Sequence, residues 1–439
     1  MTYPVEINTA RVFSIAGPAM IANVTTPLLG VVATAAIGRL GDAALLGGVA
    51  MASLIFDCMF WLFGFLRMGT VALTAQALGA HDGDEQRAVL ARALMTAAAI
   101  GLTLIVLQVP LAIAIFGLMG GSEAVTDAAR QYFVVRMWSA PFALGNYVML
   151  GWLVGLARPM LALSIQIAIN VLNMAVTVLL VLLLDWGVTG AALAAVIAET
   201  FGLILGLSVA WRVLGGRFGL KRAAIFDRAR LTRMLAINRD IMIRTAALIA
   251  AFLFFTAQGA RAGDTTLAAN AVLHNFTLVG AFFLDGLANA AEQLCGRAFG
   301  ARNRNAFRRA VKLIVFWGYV FGAGASLLFF VAGKLAIDLM TASEDVRGIA
   351  YSYMWLAALA PVCGVMAFAF DGIYIGATWV RDMRNLMVAS FLIYLAVWAT
   401  TLPLGNTGLW IAILSFFLAR GGLQAARYPA LVRRPFEGH

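Results

Sequence analysis

Among the ionisable residues inside long apolar runs, seven are the candidates for chemistry: Asp57, Arg67, Glu199, His274, Asp285, Glu292 and Asp371. Such a group is costly in an apolar setting and is kept where it faces a cavity or a partner. Asp285 and Glu292 are seven residues apart. On a helix that is nearly two turns, so both point the same way, about 10 Å apart along the axis. Two acids on one face suit binding a cation or passing a proton; the alternative for Glu292 is pairing with Arg297. Asp371 precedes Tyr374 by three residues, which puts carboxylate and phenol on one face. That pair suits Na⁺ or an organic ammonium group. The alternative is a packing aspartate satisfied by backbone groups. His274 has a side chain suited to proton exchange, or is simply a packed polar residue. Glu199 and Arg67 read as inter-helix pairing groups.

The elements that must hold these residues follow from composition. The chain has 439 residues, 62% hydrophobic and only 12% charged, about half the usual charged share. Mean hydropathy is +0.90. These values exclude a soluble globular enzyme, a disordered chain and a nucleic-acid-binding module, and describe a polytopic membrane protein. Apolar runs are continuous rather than alternating, which excludes a transmembrane β-barrel. Twelve spans are predicted, at 10–37, 44–78, 89–119, 127–157, 160–184, 188–212, 234–260, 267–296, 308–336, 346–376, 385–404 and 408–428. At about 20 residues per span they leave no room for a sizeable soluble domain. Cys58, Cys295 and Cys363 lie in apolar stretches without metal-ligand spacing. The first ten residues contain Glu6 and no Lys or Arg, so the first apolar stretch is expected to be a permanent span. There is no HExxH, no paired-catalyst motif and no P-loop, so neither an intramembrane enzyme nor direct ATP drive is expected.

The net charge of +11 is concentrated in alternate loops. The 212–233 connector carries Arg212, Arg217, Lys221, Arg222, Arg228, Arg230 and Arg233 against Asp227. The 297–312 loop, Arg381 and Arg384, and the tail are also basic; the intervening loops are acidic or mixed. By the positive-inside rule both termini are cytoplasmic, with anionic lipid as the other reading of the basic loops. The chain also repeats itself at offsets of 220–222: Arg39-Leu-Gly-Asp42 with Arg261-Ala-Gly-Asp264, Arg87-Ala-Val89 with Arg309-Ala-Val311, Pro141 with Pro361, Gly151 and Gly155 with Gly372 and Gly376. The expected fold is therefore all-α, with twelve transmembrane helices in two pseudo-symmetric six-helix lobes of parallel topology. Residues 1–213 form the first lobe, 214–232 a basic connector, 233–430 the second lobe and 431–439 a tail. Such repeats place a cavity between lobes and suit alternating access. At the repeat offset Asp285 falls opposite Gly64, and Asp57 lies seven residues before Gly64, so Asp57 is expected on the equivalent stripe.

Asn23-Val-Thr-Thr-Pro-Leu-Leu-Gly30, Phe60 to Thr70, Asn238-Arg-Asp-Ile-Met-Ile-Arg244, Leu284 to Glu292 and Asp371-Gly-Ile-Tyr-Ile-Gly376 together resemble the multidrug and toxic compound extrusion (MATE) family, specifically its DinF branch. The resemblance covers essentially the whole chain. It implies a monomeric, multi-pass antiporter of the bacterial inner membrane, not an enzyme. Small amphipathic organic compounds, often cations, leave as H⁺ or Na⁺ enters, with membrane lipid as surroundings, no nucleic acid and no cofactor beyond the coupling ion. Cation coupling is expected at Asp285, Glu292, Asp371 and Asp57, with Na⁺ at Asp371. Asn170, Asn173, Thr177, Tyr374 and His274 are expected to line the cavity, and Pro27 to act as a hinge. Ala33 stands where the family's first helix usually carries an acid, and Thr177 where the fifth does. Asp57 is expected to replace in part the acid missing at position 33. A lipid-linked glycan flippase of the same superfamily and an uncoupled transporter-like sensor are the alternatives.

Overall fold

The computed structural model describes residues 7–39, 42–119, 122–219 and 222–433, and no strand occurs among them. The helices in order are α1 (Thr9–Gly38), α2 (Ala43–Leu62), α3 (Phe65–Gly79), α4 (Gly83–Val106), α5 (Gln108–Met119), α6 (Glu123–Met137), α7 (Ala140–Gly155), α8 (Pro159–Val178), α9 (Gly187–Val213), α10 (Arg222–Ile225), α11 (Arg228–Arg261), α12 (Asp264–Gly300), α13 (Arg304–Met340), α14 (Glu344–Gly376), α15 (Val380–Thr401) and α16 (Asn406–Arg433). Among the described residues 10 helical rods are long and apolar enough to cross a membrane. With α1 and the α6–α7 rod, the rods follow the order of the twelve predicted spans. Large apolar side chains stand exposed along them, such as Leu183, Val331 and Leu339 at 71%, 80% and 80%. Such surfaces suit lipid rather than water.

Several rods are interrupted where continuous helices were expected. The rod predicted at 44–78 breaks between Leu62 and Phe65, where the Gly64 N–H bonds to the Trp61 carbonyl at 3.0 Å. A heptad stripe cannot run through that break, so the argument linking Asp57 to Gly64 fails. The 127–157 rod breaks at Trp138 and Ser139, ahead of Pro141 in the first turn of α7. Proline suits that position because its missing N–H has no helical partner there. After α8 the backbone widens into a π-helical turn, Leu179–Leu183. Pro27 lies in the α1 stretch whose side chains are outside the described residues.

Two compact units form. Unit one comprises the chain as far as Met20, Ala75–His81 and the chain from Ala236 on; unit two comprises Ile21–Thr74 and Asp82–Leu235. The start of α1 and the end of α3 thus belong with the second half of the sequence, although the first lobe was expected to comprise 1–213. Backbone contact explains this. A Cβ on Gly286 would meet the Ala16 carbonyl and Met20, one on Gly79 would overlap the Arg297 carbonyl, and one on Gly300 the Gln76 carbonyl. Small residues that let backbones touch are the usual means of joining helices in lipid, where no hydrophobic force acts between them.

The internal repeat is visible in the joints. His81 and Arg302, like Ala157 and Thr378, adopt left-handed backbone at a spacing of 221 (302 less 81, 378 less 157). At the same spacing Asp82 and Asn303 cap α4 and α13, and Ser122 and Ser343 cap α6 and α14, each side chain accepting a backbone N–H. Glycine contacts repeat as well. Gly151 and Gly155 on α7 ride on the carbonyls of Arg67 and Val71; Gly372 and Gly376 on α14 ride on those of Ala288 and Glu292. The same pairs of rods therefore pack in the same register within each unit.

Candidate functional site

Unit one holds a buried charged network built from four helices. Asp371 on α14 is 4% exposed and is held by Arg244 of α11 and Arg420 of α16. Gln424, one turn beyond Arg420, donates its Nε2 to Asp371 Oδ1 at 2.9 Å. Tyr374 donates its hydroxyl to the Gln424 carbonyl at 2.7 Å, so phenol and carboxylate meet through Gln424. Arg420 also lies over the Phe368 ring, 5.5 Å from its centroid. From α12, Asp285 and Glu292 lie within electrostatic reach of Arg244. Asn289, between them, donates to the Asp285 carbonyl at 2.8 Å and to its carboxylate at 3.3 Å. Glu292 is 2% exposed and Asp285 half-buried. Beside this network Asp240, also buried, accepts from Arg384 at 2.8 Å and from Arg239 at 3.0 Å.

The predicted site residues are thus gathered in part. Asp285 and Glu292 do share a helix and an arginine. Glu292 has Arg244 as an electrostatic partner; the sequence offers Arg297 as the alternative to a functional role. Asp371 does not present the oxygen-rich surroundings expected for Na⁺, because two guanidinium groups and an amide occupy its oxygens. A hard cation needs several oxygen ligands, and cationic neighbours repel it. His274 lies apart, T-shaped against Phe252 at 5.5 Å, beside a small aromatic cavity lined by Phe255, Thr277, Trp410 and Phe417.

In unit two the predicted polar residues of α8 bond along their own helix. Gln166 donates to Asn170 at 2.9 Å, and Thr177 donates to Asn173 at 3.2 Å. Asn170 and Thr177 are buried. Asp57 is exposed on α2 and interacts with Arg136 of α6. Arg136 lies over the Phe56 ring at 5.2 Å and donates to the Tyr132 hydroxyl at 3.1 Å. The same arginine interacts with Glu199 of α9, whose carboxylate accepts from Asn146 of α7 at 2.6 Å.

Sequence reading missed Arg244 and Arg420 as site residues, although both fall inside predicted spans. Arg420 had been counted with the basic tail and Arg244 read only as part of a family segment. Listing every charge within the spans, arginines included, would have found them. Asn146 and Gln424 carried no such signal, since neutral amides are common in membrane helices.

Two repeats of membrane-length helices, each with charged side chains placed inside its spans, describe a polytopic membrane protein. The chain belongs to the MATE family of transporters. The family model described as MatE matches residues 18–179 and 241–399, one segment in each half. The chain is 37% identical over 412 residues to DNA damage-inducible protein F of Escherichia coli (strain K12), covering 93% of this chain and 89% of that protein. It is 26% identical over 450 residues to a probable multidrug resistance protein NorM of Caulobacter vibrioides, with 96% and 91% covered. Among solved structures, a MATE protein in the bent conformation superposes with a TM-score of 0.89 at 18% identity, over 97% of this chain and 96% of that one. A MOP superfamily transporter from Pyrococcus furiosus gives 0.85 at 18% identity, over 97% and 96%.

Proposed function

We propose that this transporter exports small amphipathic organic compounds, cations foremost, in exchange for H⁺ or Na⁺ by alternating access. It acts in the bacterial inner membrane with both termini cytoplasmic. One observation carries the reading: the unit-one network sets three carboxylates, Asp285, Glu292 and Asp371, against two guanidinium groups, Arg244 and Arg420. Carboxylates inside a membrane span are costly and suit binding a proton or a cation. Asp371 is engaged by both arginines, so the exchange is assigned to Asp285 and Glu292 on α12. The name of the Caulobacter relative, a probable multidrug resistance protein, supports efflux of organic compounds. A flippase for lipid-linked pyrophosphates would need free cationic groups. Here the two network arginines are bound to Asp371.

Purified protein in proteoliposomes, loaded with ethidium and given a proton or a sodium gradient separately, tests this. Wild type should move the dye under at least one gradient, and Asp285→Asn should lower that flux about tenfold or more. Folded protein that moves ethidium under neither gradient overturns the proposal, and lipid-linked or anionic substrates then come next.

A further inference from the structure

Unit two carries a half-buried acid whose surroundings differ from those of Asp371. Glu199 is the thirteenth of the 27 residues of α9, so it lies at mid-span. Its Oε2 accepts a hydrogen bond from Asn146 Nδ2 at 2.6 Å, and the same nitrogen donates to the Glu199 carbonyl at 2.9 Å. Charged and titratable neighbours come from every side. Tyr132 and Arg136 stand on α6, Tyr147 on α7, Asp57 on α2 and Arg67 on α3. α8, which also packs on α9, carries no charged residue. Arg136 interacts with Glu199 electrostatically, but no arginine or lysine nitrogen among the described residues lies within 4.0 Å of its carboxylate.

That difference decides what each acid can do. A carboxylate clamped by two guanidinium groups, as Asp371 is, must stay ionised, because arginine has no acceptor and keeps its proton. An amide partner suits both protonation states. Its NH₂ donates to the ionised carboxylate; turned over, its oxygen accepts the O–H of the carboxylic acid. Asn146 is 3% exposed, and its Oδ1 has no hydrogen-bond partner. A buried carbonyl oxygen left unpaired beside a carboxylate is an acceptor for the proton that the acid would carry.

We propose that Glu199 is a proton-exchanging group of unit two, with Asn146 as its switchable partner. On uptake, a proton leaves hydronium and forms an O–H bond on the Glu199 carboxylate, which becomes neutral. The Asn146 amide turns so that Oδ1 accepts that O–H, and Arg136 keeps Asp57 and the Tyr132 hydroxyl as its partners. On release the proton returns to water and the amide donates again. The part this plays in transport rests on the exchange function proposed above; the titration itself does not.

Infrared difference spectra of the purified full-length protein, taken between about pH 5 and about pH 9, where buried carboxyl groups titrate, read the protonated carboxyl directly. Wild type should show at low pH a band component that is missing in Glu199→Gln and present in Asp285→Asn, which separates it from any band of the α12 acids. Asn146→Leu keeps the acid but removes both hydrogen bonds, and should move the band's midpoint by about one pH unit or more; this holds even if the glutamine variant fails to fold. Asp57→Asn should retain the band. A band unchanged in Glu199→Gln, or a midpoint unmoved in Asn146→Leu, overturns the proposal. If the band behaves as stated while wild type moves no ethidium, the titration stands and the exchange function falls.

Discussion

Replacing Asp371 by asparagine removes the one anion that holds Arg244 and Arg420 together. Arg420 is 2% exposed and the Arg244 side chain 6%, so neither recovers hydration when the carboxylate is lost. Each faces the other within electrostatic reach. Breaking a buried ion pair from one side costs about 3–5 kcal/mol, because the remaining charge stays buried. An unfolding entropy of about 2.1 cal/mol/K per residue over 439 residues gives about 0.9 kcal/mol per degree. Asp371→Asn should therefore lower the melting temperature by about 3–5 °C. Near-isosteric chemistry makes the cause specific, since asparagine keeps the size of the side chain. The assay is a double-mutant cycle with Arg420→Met, read by thermal unfolding in detergent. Removing both partners leaves one arginine instead of two facing each other, so the double variant should be more stable than the sum of the single losses by about 2 kcal/mol. Losses that add to within about 0.5 kcal/mol would show that the two side chains are not coupled, and would refute the network as described.

Two further outcomes test other joints. Glu85 accepts from Arg92 at 2.5 Å and from Arg230, which ties the basic connector to the start of α4. Arg230 is nearly half exposed, so the tie is worth only about 1 kcal/mol; Glu85→Gln should speed tryptic cleavage at Arg217 or Arg222 about fivefold, and an unchanged rate would show that the tie does not hold the connector. Gly372→Ala places a Cβ against the Ala288 carbonyl and the Ala291 side chain, which should cost about 1–3 kcal/mol. Gly324→Ala, where nothing lies within 4 Å, should be neutral or stabilising by up to about 1 kcal/mol; equal effects at the two glycines would contradict the packing described.

The helical rods and their repeat were legible because both rest on local chemistry. Twenty apolar residues must form a helix in lipid, since no water is present to satisfy the backbone. Capping residues recur at matching starts in the two repeats, as Asp82, Asn303, Ser122 and Ser343 do. Breaks inside rods were less legible. The step at Gly64 has no proline to mark it, whereas the step before α7 carries Ser139 and Pro141 as its signal, although 127–157 reads as one span by hydropathy.

The sequence by itself determined the class of protein, the order of the rods, the two-fold repeat and most of the acids that fall within them; Asp240, which is buried as well, was read only as part of a family segment. Those follow from hydropathy, loop charge and spacing, all of which are properties of neighbouring residues. Only tertiary structure decided which acid meets which base. Asp371 finds Arg420 49 positions away and Arg244 127 positions away, while Glu199 finds Asn146 53 positions away. No periodicity spans such distances. The same chemical group, a carboxylate inside a span, is fixed as an ion-pair centre in one unit and held by an amide in the other, because helix packing brings guanidinium groups to the first and a neutral side chain to the second.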